Sequence, residues 1–215
     1  YSIINGYEDG TFRAKNNVTY SEAMVMIYNL MDKTGNLKAS ATNTLSIYQS
    51  VLNTYKIPTW SQSTVAYGLS AQILMAADLP KFTTNGVSNP ATRQDVAVMF
   101  GRALSEKYDI YAGTGVNYND VWRISDEAMP YVDLLTRLGI VTGDDSGNFN
   151  PTANITRAEM AVMMNKTYDL LSNELANTGE ITEIVNHDGD YYDVDVKMDL
   201  SLIHISEPTR RVVIS

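Results

Sequence analysis

The chain has no cysteine among its 215 residues, so no disulfide staples it and no thiolate holds a metal. It has two histidines, His187 and His204, and neither stands in a pattern that would make a metal site or a catalytic triad. No stretch approaches the run of about eighteen apolar residues needed to span a bilayer, which excludes membrane insertion by a helix. Positive charge is scarce. Sixteen Lys and Arg face 25 Asp and Glu, a formal net charge of −9, the wrong sign for a nucleic-acid backbone as partner. What remains, 44% hydrophobic and 19% charged, is the composition of a globular protein able to bury a core in one or two domains. Its acidity and lack of cysteine are compatible with a bacterial exterior.

What the chain has is internal repetition. Gly143-Asp-Asp-Ser-Gly-Asn-Phe149 leads into Ile155-Thr156-Arg157-Ala158-Glu159. A fainter copy runs from Gly6-Tyr-Glu-Asp-Gly-Thr-Phe12 into Val18-Thr19-Tyr20-Ser21-Glu22, and in both the phenylalanine lies seven residues before the threonine. Ala91-Thr92-Arg93-Gln94-Asp95 is a third copy of the second half. Thr19 with Glu22 and Thr156 with Glu159 have the spacing of a capping box. The hydroxyl accepts from the N–H of the acid, and the carboxylate accepts from the N–H of the threonine. Thr92 with Asp95 is a shorter version. These six residues are read as structural caps.

Each cap opens an amphipathic helix. The stripes are Ala23, Met26, Ile27, Leu30, Met31; Val96, Met99, Phe100, Ala103, Leu104; and Met160, Met163, Met164, Thr167, Tyr168, all at the spacing of one helical face. Three such faces bury most economically against one another. A preceding helix is expected in the third repeat, capped by Ser125 or Asp126, carrying Ala128, Tyr131, Val132, Leu135 and Leu138, and stopped by Gly139. Trp60 to Leu79 matches it in the second repeat, where the following loop is three residues longer. The divisions expected are residues 1–35, a first repeat without its first helix; 36–55, a linker with a short helix over Leu45 to Tyr55; 56–112 and 118–172, the second and third repeats; 173–198, a linker and β-hairpin opening a further β domain; and 199–215, a non-native tail. Ser201-Leu-Ile-His-Ile-Ser-Glu-Pro-Thr-Arg210 resembles translated sequencing-adaptor read-through. Because the chain starts at Tyr1 inside a repeat, it is read as a piece of a longer protein with its leader upstream.

At these residues the chain resembles three S-layer homology domains. The third repeat carries Tyr118-x-Asp120 where the family has Phe-x-Asp, then Ala128, Leu138-Gly-Ile-Val141, Gly143, Gly147-x-Phe149-x-Pro151 and Ile155-Thr-Arg-Ala-Glu159. The resemblance implies a mainly α fold, three helix-loop-helix repeats around a pseudo-threefold central helix bundle, with grooves between the prongs and a short β segment after them. It implies a non-catalytic anchor, without cofactor or metal, that holds a bacterial surface protein on the cell wall. The partner implied is a secondary cell-wall polysaccharide bearing an acidic pyruvate ketal. Self-association in a surface lattice, and attachment to a larger extracellular hydrolase or adhesin, are the other readings.

Residue by residue, Arg157 and Arg93 are the first helical residues after their caps. A helix start offers unpaired N–H groups and partial positive charge, and a guanidinium there can grip a carboxylate with two parallel hydrogen bonds. The bland alternative is an inter-repeat salt bridge. Tyr20 stands in the same place and cannot neutralise a carboxylate, though it can stack on a sugar. Gly143 and Gly147 are expected to take positive φ, and the resemblance also lays Gly143 against the ligand. Asp120, by the same resemblance, supports the groove. Trp60 is a ligand candidate whose bland reading, core packing, is favoured. The Asp144 loop does not fit a calcium-binding template.

Overall fold

Three strips of chain, one before each capped helix, meet in a closed ring. The structure, a computed structural model, describes residues 10–111 and 115–177 together with the strands within 179–187, 191–198 and 212–214; side chains are described as far as residue 173. It divides into two compact units, Tyr1–Thr167 and Tyr168–Ser215. The capped helices are α1 (Tyr20–Lys33), α4 (Arg93–Leu104) and α6 (Arg157–Asn177). Just ahead of them, the Val18 N–H donates to the Ile155 carbonyl at 2.9 Å, the Ile155 N–H to the Ala91 carbonyl at 2.9 Å, and the Ala91 N–H to the Val18 carbonyl at 2.8 Å. The three side chains in this ring are wholly buried. The result is the pseudo-threefold arrangement: equivalent residues of three repeats around one axis, with the expected helical stripes behind them. Ala23, Ile27, Leu30, Val96, Phe100, Leu104, Met160 and Met164 all lie in the core.

Between the capped helices lie α2 (Leu45–Thr54), α3 (Gln62–Ser70) and α5 (Met129–Arg137). Pro130 falls in the first turn of α5, where its missing N–H costs little. Gly139, at φ 69, ends that helix as expected: its N–H donates to the Thr136 carbonyl and the Ile140 N–H to the Leu135 carbonyl. α2 is the short helix expected in the linker, and it packs on α3 through buried Leu52.

The sequence did not show which helices would pair. Each first helix packs on the capped helix of the preceding repeat. α3 lies on α1, and α5 lies on α4. Small residues permit the close approach. A Cβ on Gly68 of α3 would come within 2.7 Å of the Met24 sulfur of α1, and one on Gly101 of α4 within 2.7 Å of the Tyr131 Cβ of α5.

Two expectations need correction. The helix of the second repeat is shorter than the Trp60 to Leu79 match, with 3-10 turns at Thr59–Ser61 and Ala76–Lys81 on either side. Trp60 is 59% exposed, so it is not core. It sits in the single 3-10 turn, where Ser61 and Gln62 take the inward positions and leave the indole outside. The longer loop of this repeat holds a small hairpin, β1 (Thr83–Thr84) with β2 (Val87–Ser88), turned by Asn85 and Gly86, both at positive φ.

In the second unit, β3 (Gly179–His187) and β4 (Tyr191–Met198) pair antiparallel, the short β segment expected there. The turn between them lies outside the described residues. β5 (Val212–Ile214) pairs with the open edge of β4, as any short β-branched run can.

Gly101→Ala tests the cross-repeat packing. The gain in helix propensity, about 1 kcal/mol, is outweighed by overpacking against Tyr131, whose crowded atoms include its own Cβ and cannot swing away. A net loss of about 1–2 kcal/mol is expected in urea unfolding.

Candidate functional site

The three helix starts repeat one local chemistry. Thr19 and Thr156 close complete capping boxes with Glu22 and Glu159. Thr92 accepts from the Asp95 N–H at 3.2 Å and its hydroxyl donates to the Asp95 carboxylate at 2.7 Å, but that carboxylate, one methylene shorter than a glutamate's, does not complete the box at the Thr92 N–H. The first N–H of each helix is also taken. Tyr20 N–H donates to the Asn89 carbonyl, Arg93 N–H to Ala153 and Arg157 N–H to Asn16, at 3.2, 2.9 and 2.9 Å. The second N–H of α4 reaches the Pro151 carbonyl, and that of α6 the Ala14 carbonyl. The expectation of free N–H groups for an anion is therefore overturned: the neighbouring repeat consumes them. What each helix start has left to offer is its first side chain.

Those side chains cross the seams between repeats. Arg93 Nε donates to the Phe149 carbonyl at 2.8 Å, its guanidinium lies 5.2 Å from the Phe149 ring centre, and Nη1 pairs with Glu159 at 2.7 Å. Arg157 does the same one seam on, with Nε on the Phe12 carbonyl at 3.0 Å and its guanidinium 5.1 Å from the Phe12 ring centre. Tyr20 stacks on Phe82 at 5.4 Å, and its hydroxyl donates to Asp95. The inter-repeat salt bridge raised as the bland reading of Arg93 is thus present. It leaves Arg93 Nη2 and one Nη1 proton uncommitted among the described residues. Arg157 is only 5% exposed, and Gly6 lies outside the described residues.

The seam between the second and third repeats is open. A groove of about 230 Å³ is lined by Arg93, Gly143, Asp144, Asn150, Glu159 and Lys166, over an apolar floor that includes Ile140, Val141 and Met163. Arg93 and Gly143, expected to act in separate repeats, share this groove. Gly143 does not take positive φ, which corrects one expectation; Gly147 does, at 74. Gly143 is needed for space, because a Cβ there would come within 3.2 Å of the Tyr118 ring and the Gly147 backbone. Asp120 is buried beneath, accepting from the Phe149 and Asn150 N–H groups at 2.7 and 2.8 Å, and so holds the loop that carries Gly143. Asp144 braces the same loop through the Ser146 and Asn148 N–H groups and the Asn150 amide, bonds that hold its carboxyl below the usual range. Trp60 lines neither seam groove. Lys166 is the groove residue that sequence reasoning missed. The signal was there in its spacing from Glu159, Val162 and Met163, one face of α6.

Residues 1–24 and 117–161 match the S-layer homology domain. Both segments are S-layer homology sequence. Over 114 residues, 53% of its length, the chain is 26% identical to a Bacillus anthracis protein named as an uncharacterized cell wall amidase, of which it covers 20%. Over 173 residues, 78% of its length, it is 22% identical to Cell surface glycoprotein 1 of Acetivibrio thermocellus, of which it covers 7%. The chain therefore spans a fifth or less of these curated relatives. These matches support cell-surface anchoring in general. Among the described residues, no helix is long and apolar enough to cross a membrane.

The seam between the first and second repeats is closed. Its cavity is about 10 Å³, smaller than a ligand group. Tyr20 and Lys81 both bond Asp95, Lys81 at 2.8 Å. Burial works to raise the Asp95 carboxyl, but hydrogen bonds from Lys81, Tyr20 and Thr92 outweigh it and hold it below its usual 3.8. Burial likewise works to lower the Lys81 ammonium, and the bond to Asp95 with the charges of Asp95, Asp78 and Glu127 holds it above its ordinary value. Burial and Asp95 push the Tyr20 hydroxyl up, so it stays protonated as a donor. Arg102, buried behind this seam, bonds Asp78 at 2.8 Å and Glu127 at 2.6 Å.

Because the folded Asp95 carboxyl is depressed, its contribution is complete above the unfolded value and is lost as pH falls through the folded one. Asp95→Asn is expected to lower stability at neutral pH by about 1–3 kcal/mol. It should also shrink the further loss on acidification below 3.8, read by urea titrations on both sides of that pH.

Proposed function

We propose that the chain anchors a surface protein to the bacterial cell wall by gripping an acidic secondary cell-wall polysaccharide in the groove between the second and third repeats. The observation that carries this reading is the pairing, in one groove, of uncommitted Arg93 donors with Lys166, whose ammonium has no partner among the described residues. The two carboxylates nearby are occupied, Glu159 by Thr156 and Arg93, and Asp144 by its own loop. Such a site favours an incoming carboxylate with two directed donors and a second cation. A pyruvate ketal carries a carboxylate and a methyl group on one ketal carbon, which bridges two hydroxyl oxygens of a sugar. The apolar floor suits the methyl group and the cations suit the carboxylate. Arg157 would take the place of Arg93 one seam on, while Tyr20 and Lys81 fill the third with the protein's own groups.

The relatives favour a division of labour. Each is far longer than this chain, and the Bacillus anthracis protein is named for an amidase activity. The parent of this chain would carry its hydrolytic, adhesive or lattice-forming work outside the anchor.

Purified walls and the intact chain test the site. Arg93→Ala with Lys166→Ala is expected to reduce co-sedimentation by about tenfold or more, equivalent to about 1.4 kcal/mol or more. Circular dichroism must show the fold retained, since Arg93 also clamps a seam. Arg93→Lys with Lys166→Arg keeps the charge, loses the fork at one position and should bind at an intermediate level. Undiminished sedimentation by the folded double alanine variant would remove the groove from consideration, and undiminished sedimentation on walls cleared of pyruvate ketals would remove the acidic sugar.

A further inference from the structure

A wider groove opens where α1, α2 and α3 come together, and it shares no lining residue with the seams. Its volume is about 750 Å³, inside the range of about 300–1,000 Å³ usual for small-ligand sites. The floor is aromatic. Tyr67 of α3 is buried, and its ring meets Tyr28 of α1 edge to face, with centroids 5.0 Å apart and planes at 83°. The Lys38 N–H donates to the Tyr67 hydroxyl at 3.0 Å, which fixes that ring. Tyr28 is half-buried, and its hydroxyl has no partner among the described residues.

The rim consists of hydroxyls and amides, from Thr42, Asn43, Thr44, Ser46, Gln49 and Ser63. It is braced from behind. Thr42 and Thr44 hydroxyls donate to the Ala39 and Ala41 carbonyls at 2.8 and 3.1 Å. The Gln49 amide nitrogen donates to Gln62 and Asn53, which leaves its carbonyl oxygen as an acceptor. Asn43 holds φ at 58, a left-handed backbone that asparagine tolerates better than most residues.

The chemistry of this groove selects its ligand by elimination. Among the described residues no Asp, Glu, Lys or Arg lines it, so a charged ligand would lose hydration without gaining a counter-charge. A wholly apolar ligand would strip water from the rim groups, at about 1–3 kcal/mol for each one left unmatched. Paired aromatic rings under a ring of hydroxyls and amides suit a ligand with C–H faces and hydroxyl edges. We propose that this groove is a second glycan subsite, taking a short stretch of uncharged hexose or N-acetylhexosamine, and that it stands independently of the acidic-sugar reading of the seam.

The test is titration of the intact, nitrogen-15-labelled chain with uncharged chito-, cello- and manno-oligosaccharides at millimolar concentration, following backbone amide shifts. At least one series is expected to shift Tyr28, the Thr42 to Gln49 stretch and Ser63 while leaving the residues around Arg93 in place. Tyr28→Ala should weaken that binding about tenfold or more. Ser63→Arg, at an exposed position of α3, should block it while leaving the melting temperature and wall co-sedimentation unchanged. No shift with any of the three series, shifts located elsewhere, or sugar binding that survives Ser63→Arg would each overturn the proposal. Wall co-sedimentation through the seam is measured separately, so either site can fail while the other stands.

Discussion

The ring of backbone bonds joining Val18, Ile155 and Ala91 is the constraint on which the rest of the first unit depends. Each member donates to one neighbour and accepts from the other, so no amide at the axis is left to water or left unmade. A buried amide without a partner would cost about 1–3 kcal/mol, and three would be a large part of a domain's stability. The ring also sets direction. Each of these residues lies two positions before the first residue of a capped helix, so closing the ring brings three helix starts together. The next layer of bonds, from Tyr20, Arg93 and Arg157, then forms against the neighbouring repeats.

This geometry turns one sequence position into a seam residue. The side chain following the cap threonine lies over a loop phenylalanine of the next repeat and bonds what surrounds it. At Arg93 the planar fork spends two donors on the seam and keeps others. Where the residue is tyrosine, a single hydroxyl is used up by Asp95, and Lys81 brings in the cation from the same chain. The open and closed seams are therefore variants of one arrangement. In the closed one an internal ion pair occupies the space that the open one offers to a ligand. The low exposure of the arginines is part of the same economy, because a clamped guanidinium loses little further freedom on binding.

Much of this was legible in the residues. The cap threonines, the Gly139 stop, the α2 helix and the three apolar stripes all came from spacing within a few positions. So did the short β segment after the repeats. Trp60 misled because an indole's large apolar area argues for burial, while a single 3-10 turn decides which way it faces. Gly143 misled in another way. Its conservatively expected left-handed backbone is absent, and the need for glycine comes from the ring of Tyr118, 25 residues away in sequence. Lys166 was overlooked because a lone lysine on a helix reads as a solvated residue until the groove beside it is seen.

By itself the sequence determined that there are repeats, where the capped helices begin, which face each one buries, and that two of its segments match the S-layer homology domain. These properties rest on contacts three or four residues apart, which leave a periodic mark in the chain. Only the tertiary structure decided that each first helix lies on the preceding repeat, that the helix-start amides are already spent, and that Arg93 shares its groove with the Gly143 loop. Those contacts join residues about 30 to 140 positions apart across a closed ring, and backbone carbonyls receiving them carry no residue-specific signature.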